Sequence, residues 1–129
     1  MILDRFSLKG RVALITGAGK GIGASIATTF AEMGADVICV ARSQADLEAV
    51  ADSARAFGVK AYAYSCDVTD ESALKNLMEN VTQDVGRVDI LVNNAGAPGK
   101  GYGSLKSVDM ARFQHTLNIN LTSAYTLTH

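Results

Sequence analysis

"TGAGKGIG", residues 16–23, follows the apolar run "RVALI" and precedes a stretch whose apolar residues recur at helical spacing. Its four glycines leave the backbone bare between a strand and a helix, with one lysine among them. A helix entered from such a loop presents unpaired N–H groups and the positive end of its dipole, which together make an anion site. Gly17 permits a tight turn, while Gly21 and Gly23 permit close approach of a diphosphate and close helix–strand packing. The loop fits G-x-G-x-x-G only if Ala24 takes the last place, and no Gly-Lys-Ser/Thr follows, which excludes a Walker loop. A plain glycine-rich turn is the bland alternative. Placement between a first strand and its helix favours a nucleotide.

Outward from this loop the elements alternate. "RVALIT" (11–16) is a continuous apolar run, as expected of a strand buried on both faces. Ile22, Ile26, Phe30 and Met33 recur at helical spacing, and Gly34 stops that helix. "DVICVA" (36–41) reads as a second strand; Leu47, Val50, Ala51 and Ala54 mark a second helix ending near Gly58. "KAYAYSC" (60–66) is a third strand, its mixed apolarity suiting an outer place in the sheet. Thr69 or Asp70 caps a third helix with the stripe Leu74, Leu77, Met78, Val81 and Val85, stopped by Gly86. "VDILVN" (88–93) is the fourth strand. A last helix runs from about Asp109, with Met110, Phe113, Leu117, Leu121, Ala124 and Thr128 on one side. This alternation predicts an α/β fold with a parallel sheet and right-handed crossovers; with the glycine loop after its first strand the expectation is a Rossmann-type doubly wound sheet, for which the strand order is 3-2-1-4. The last helix is still running at His129, and the apolar fourth strand would be a bare edge. The 129 residues therefore read as the N-terminal, cofactor-binding part of one larger domain.

Composition narrows the function. With 48% hydrophobic and 19% charged residues and one proline, the chain is globular rather than disordered. A net charge of −1 gives no electrostatic reason to expect nucleic acid or an anionic membrane. No window approaches 18 apolar residues, and the first ten lack a signal-peptide core. Cys39 and Cys66 lie in apolar strand-like runs and read as buried free thiols, in keeping with a reducing, cytoplasmic setting. No His/Cys/Asp cluster has metal-ligand spacing, so no metal is expected.

The end of the second strand names the dinucleotide. An NAD-type site places an acid there for the ribose hydroxyls, but this chain has Ala41-Arg42-Ser43. An arginine fork and a hydroxyl welcome a 2′-phosphate that a carboxylate would repel. Lys20 reaches the same place from the glycine loop. Each base alone is commonly a solvated charge; the two together favour NADP(H).

"TGAGKGIG", "CDVTD", "DILVNNAG" and "LNINL", in that order and spacing, resemble the short-chain dehydrogenase/reductase family over essentially the whole chain. The resemblance makes Thr16, Gly17, Gly21, Ile22 and Gly23 part of a TGxxxGxG cofactor loop, resolving the poor fit to G-x-G-x-x-G. It implies that Asp67 accepts a hydrogen bond from the adenine amino group, aided by the Val68 backbone; otherwise Asp67 merely opens the turn before the third helix. Asn93-Asn94-Ala95-Gly96 matches the family's NNAG, so Asn94, Ala95 and Gly96 lie along the cofactor ribose while one amide braces the sheet. Paired amides at a buried strand's end must in any case find partners. Asn120 shares a helix side with Phe113, Leu117, Leu121 and Ala124, where an amide has to be satisfied. By resemblance it is the family's catalytic asparagine, holding a water in the proton relay; the bland alternative is a structural hydrogen bond.

The family's serine and Tyr-x-x-x-Lys fall downstream of such an asparagine and are absent here; Tyr62, Tyr64, Tyr102 and Tyr125 have no lysine four residues on. The resemblance implies hydride transfer between nicotinamide and a ketone or secondary alcohol, such as a 3-oxoacyl-carrier or hydroxysteroid substrate, by a larger protein. The 129 residues alone are expected to be inactive unless a complementary C-terminal segment supplies the rest. A non-catalytic NADP(H)-binding sensor or scaffold is the alternative. The last helix resembles the one that family members use to form dimers and tetramers. "APGKGYGSLKSVD" (97–109) is expected to wall the crevice.

Overall fold

A computed structural model describes residues 2–96 and 110–129. A short 3-10 turn, Ile2–Phe6, leads into β1 (Val12–Thr16), α1 (Gly21–Glu32), β2 (Asp36–Ala41) and α2 (Gln44–Arg55). Next come β3 (Ala61–Ser65), α3 (Glu71–Asp84) and β4 (Ile90–Val92). The chain then continues through α4 (Met110–Leu117), a π-helical turn (Asn118–Thr122) and α5 (Ser123–Thr128). The strands form one parallel sheet in the expected order, β3-β2-β1-β4. β4 is shorter than its apolar run, pairing with β1 only from Ala13↔Ile90 to Ile15↔Val92. Its far edge has no partner among the described residues, and all three of its residues are half-buried.

β1 and the middle of β2 are buried because helices cover both faces, which is why their sequences are continuously apolar. On one face α1 and α2 pack against Ala13, Ile15, Val37 and Cys39. On the other, Leu74, Leu77 and Val81 of α3, joined by Ile119 and Leu127, pack against Val12, Leu14, Ile38 and Val40. Asp70 rather than Thr69 caps α3, its side chain accepting from the Ala73 N–H at 3.1 Å. Cys39 and Cys66 are free and buried, as expected. Burial pushes the Cys39 thiol up to about 11 and raises that of Cys66. Among the described residues no helix is long and apolar enough to cross a membrane.

Two helix faces differ from the sequence expectation. α1 turns Gly23, Ala27 and Ala31 to the sheet, leaving Ile22 exposed and Ile26 and Phe30 half-buried. Small residues let the helix lie close to β1, so its large apolar residues fall to the side. In the last helix Ile119 and Leu127 pack on the sheet-side core and Ser123 is buried. The predicted stripe is instead largely exposed at Met110, Phe113 and Leu121. A π turn interrupts this helix, with the Ser123 N–H bonded to the Asn118 carbonyl. Thr116, Ser123, Thr126 and Thr128 return their hydroxyls to carbonyls four residues back, bonds that often accompany bending of a helix.

Candidate functional site

The glycine loop and the segment after β4 are locked into one unit. The Thr16 hydroxyl, 1% exposed, donates to the Val92 carbonyl and accepts from the Asn94 N–H at 3.1 Å and the Ala95 N–H at 2.9 Å. The Asn94 side chain then donates to the Gly17 carbonyl at 3.3 Å. One threonine and one asparagine thus join the carboxyl ends of β1 and β4, where ligands of open parallel sheets bind. Asn94 is the bracing amide; Asn93 turns away and donates to the Thr128 hydroxyl.

This lock explains which glycines are required. A Cβ on Gly23 would lie 2.0 Å from the Gly17 carbonyl oxygen and 2.6 Å from the Asn94 amide nitrogen. Gly17 has a φ of +65°, and a Cβ there would come within 2.9 Å of the same amide. At α1 the N-cap is Lys20, with extended backbone and no side-chain hydrogen bond to the first turn. That turn carries no acid, so its N–H groups and dipole end stay open to an anion.

The second half of the site lies at the ends of β2 and β3. Lys20 and Arg42 are both exposed, and neither side chain makes an ion pair or hydrogen bond among the described residues. The Arg42 carbonyl accepts from the Ser65 hydroxyl at 2.7 Å, pinning this turn to β3. Ser43 caps α2 by accepting from the Asp46 N–H at 3.3 Å, a structural duty the sequence reading did not assign it. Its hydroxyl proton is still able to donate. Asp46 lies beside the loop as well, its Cβ 3.2 Å from where a Gly19 Cβ would be.

Asp67 is exposed while Val68 is buried in the α3-side core. One Asp67 oxygen accepts both from the Thr69 hydroxyl at 2.6 Å and from the Thr69 N–H at 2.9 Å. These bonds, with the nearby positive charge of Arg42 and His115, hold its carboxyl below the usual carboxylate range. The other oxygen, Oδ2, makes no hydrogen bond among the described residues and is open to a donor.

Asn120 lies within the π turn, its amide nitrogen donating to the Thr116 carbonyl at 2.9 Å. Its Oδ1 stands 2.6 Å from where a Gly96 Cβ would be. The structure therefore brings Thr16, Gly17, Gly23, Asn94 and Ala95 into one bonded cluster and sets Gly96 against Asn120. Lys20, Arg42 and Asp67 stand in the loops that follow β1, β2 and β3. Ile22, exposed on the first turn of α1, borders a shallow groove with Ser25, Ile26, Thr29 and Phe30. A wider groove, between α3 and α5, lies on the other side of the sheet from α1 and α2. Residues 97–109, the expected crevice wall, lie outside the described residues. No metal-holding cluster occurs among those described.

Comparison with known proteins identifies the family and the fold. Residues 11–129 match the family model described as short chain dehydrogenase. The chain is 34% identical to a "Probable NADP-dependent mannitol dehydrogenase" of Yarrowia lipolytica over 96% of its own length and 45% of that protein's. L-sorbose reductase from Gluconobacter frateurii, solved with NADPH and L-sorbose, superposes with a TM-score of 0.89 at 32% identity, covering 95% of this chain and 46% of that one. An NAD+-bound xylitol dehydrogenase superposes at 0.87 with 36% identity, covering 94% and 46%. The chain belongs to the short-chain dehydrogenase family, and it spans about half the length of the curated relatives it matches.

Proposed function

We propose that, within this family, the chain is the N-terminal, NADP(H)-binding part of a single Rossmann-type domain in an oxidoreductase acting on a ketone or secondary alcohol. The observation that carries the cofactor choice is the pair of exposed cations, Lys20 and Arg42, in the loops after β1 and β2, whose side chains make no ion pair or hydrogen bond among the described residues. Both cofactors are bound by relatives, so the choice rests on this chain's own residues.

The residues present fit a dinucleotide. Only glycine fits at 17 and 23, and α1 keeps its N-terminal groups open for a diphosphate. Thr16, Gly17, Gly21, Ile22 and Gly23 would hold the diphosphate and the adjoining ribose. Lys20, Arg42 and the Ser43 hydroxyl would hold the 2′-phosphate, with charge-assisted bonds stronger than neutral ones. Asp67, with the Val68 backbone, would hold the adenine, and Asn94, Ala95 and Gly96 the nicotinamide-side ribose. Bound there, the cofactor supplies or accepts a hydride at its nicotinamide ring. Asn120, seated against Gly96, would hold a water for proton transfer. The proton donor itself is expected from a complementary C-terminal segment, and without it this stretch is expected to bind but not to catalyse.

The exposed side chains of Met110 and Phe113 on α4, Leu121 in the π turn and Tyr125 on α5 support a homo-oligomer, a dimer or tetramer built on this helix. The experiment that tests the cofactor reading is a fluorescence titration of the chain with NADPH and NADH. NADPH is expected to bind at least about tenfold more tightly. Equal affinity would overturn the roles of Lys20 and Arg42. Absence of saturable binding by either would overturn the nucleotide reading.

A further inference from the structure

The direction of the last helix brings one more side chain to the adenosine end. Asn93, just after β4, bonds Thr128, while Gly96, three residues later, abuts Asn120. The helix therefore runs antiparallel to β4, and residues preceding Asn120 project beyond the carboxyl ends of the strands. His115, five residues earlier, stands about 7.5 Å further out along the helix axis. It also precedes Ile119 by one turn, and so lies on the same side of the helix. Ile119 packs into the cluster containing Cys66 and Val68, the residues flanking Asp67. That side of the helix thus looks towards the loop after β3, where Asp67 keeps Oδ2 open. His115 is exposed there.

We infer that His115 is a further cofactor-binding residue, whose imidazole ring packs against an adenine held at its edge by Asp67. This rests on the dinucleotide reading above and adds to it a contact from α4, an element that the cofactor motifs do not include. Arg42 after β2, Asp67 after β3 and His115 on α4 then enclose the adenosine from three separate segments. Arg42 and His115 both lie near enough to the Asp67 carboxylate to act on it electrostatically. A base bonded through its amino edge to Asp67 leaves its flat faces for apolar or aromatic contact, and a ring supplies that contact without regard to hydrogen-bond pattern.

The test uses adenosine 2′,5′-bisphosphate and reduced nicotinamide mononucleotide, the two halves of the cofactor, titrated into the chain and its variants by calorimetry. His115→Ala is expected to weaken adenosine 2′,5′-bisphosphate about five- to tenfold and to leave the mononucleotide unchanged. His115→Phe, which keeps a flat ring and loses both nitrogens, is expected to bind within about twofold of the unaltered chain. Unchanged binding in His115→Ala would overturn the inference while leaving the dinucleotide reading standing. Equal weakening in His115→Phe would overturn the ring contact in favour of an ionic one. If the unaltered chain does not bind adenosine 2′,5′-bisphosphate, the dinucleotide reading falls and this inference falls with it.

Discussion

Gly23→Ala tests whether the glycine loop is held by the lock between β1 and β4. The added Cβ would lie 2.0 Å from the Gly17 oxygen, 2.7 Å from the Gly17 carbonyl carbon and 2.6 Å from the Asn94 amide nitrogen. Non-bonded heavy atoms prefer about 3.5 Å, so α1 and the loop must part by roughly 1 Å or more. None of these atoms is the free end of a flexible side chain: two are backbone, and the third is bonded to the Gly17 carbonyl. Overpacking of this kind costs about 1–3 kcal/mol, and loss of the Asn94 bond adds about 1 kcal/mol. A total near 3 kcal/mol should lower the melting temperature of a domain this size by roughly 10 °C. Thermal unfolding followed by circular dichroism reads that shift, and NADPH titration reads the displaced phosphate cradle, with affinity expected to fall at least about tenfold. Ser25→Ala, exposed on the same helix, is the control and should change neither. Should Gly23→Ala melt with the unaltered chain and bind NADPH equally well, the close approach of α1 to the loop and its role in the site would both be refuted.

Three further outcomes are expected. Thr16→Val keeps the side chain's shape but removes the acceptor of the Ala95 N–H, which should cost about 1–3 kcal/mol in urea unfolding; an unchanged midpoint would show that the hydroxyl ties nothing. Arg42→Ala and Lys20→Ala should each weaken NADPH by roughly tenfold and leave NADH unchanged; equal weakening of both cofactors would mean that the bases do not read the 2′-phosphate. Alkaline stability should follow Cys39, whose thiol is raised in the folded chain from about 9 to about 11 by burial. Its stabilising contribution is complete below pH 9 and is lost as pH rises through 11, a change of about 2–3 kcal/mol. Urea midpoints measured from pH 8 to 11 check this, since Cys39→Ala should flatten that part of the profile; an equally steep fall in the variant would place the cause elsewhere.

The succession of strands and helices and the glycine loop were legible because they depend on local signals, and the strand order followed from the Rossmann-type topology they imply. Strands buried on both faces must be continuously apolar, as "VALI" and "VICV" are. Helix starts were partly legible: the alternatives Thr69 and Asp70 differ by one residue, and only the fold assigns Asp70 to the cap and Thr69 to Asp67. The side of a helix that meets the sheet was less legible. Gly23, Ala27 and Ala31 carry little hydrophobic signal, yet smallness is what lets α1 come close to β1. In the last helix, hydrophobicity pointed to the exposed face, and the π turn at Asn118–Thr122 has no marker in an apolar pattern.

The sequence by itself determined which groups could meet an NADP-like ligand: glycines 17, 21 and 23, the bases Lys20 and Arg42, Asp67, and the amides of Asn94 and Asn120. The glycines and the two bases follow from residue type and spacing along one strand or turn, and Asp67, Asn94 and Asn120 from the resemblance to the family. Only the tertiary structure decided how they are joined. Thr16 and Asn94 lie 78 residues apart and share a hydrogen bond; Ser43 is committed to a helix cap; Gly96 makes room for Asn120; and His115 comes to the Asp67 end. The physical reason is that parallel strands bring distant carboxyl ends side by side, so contacts across that edge are set by crossovers and packing and leave no local period to read.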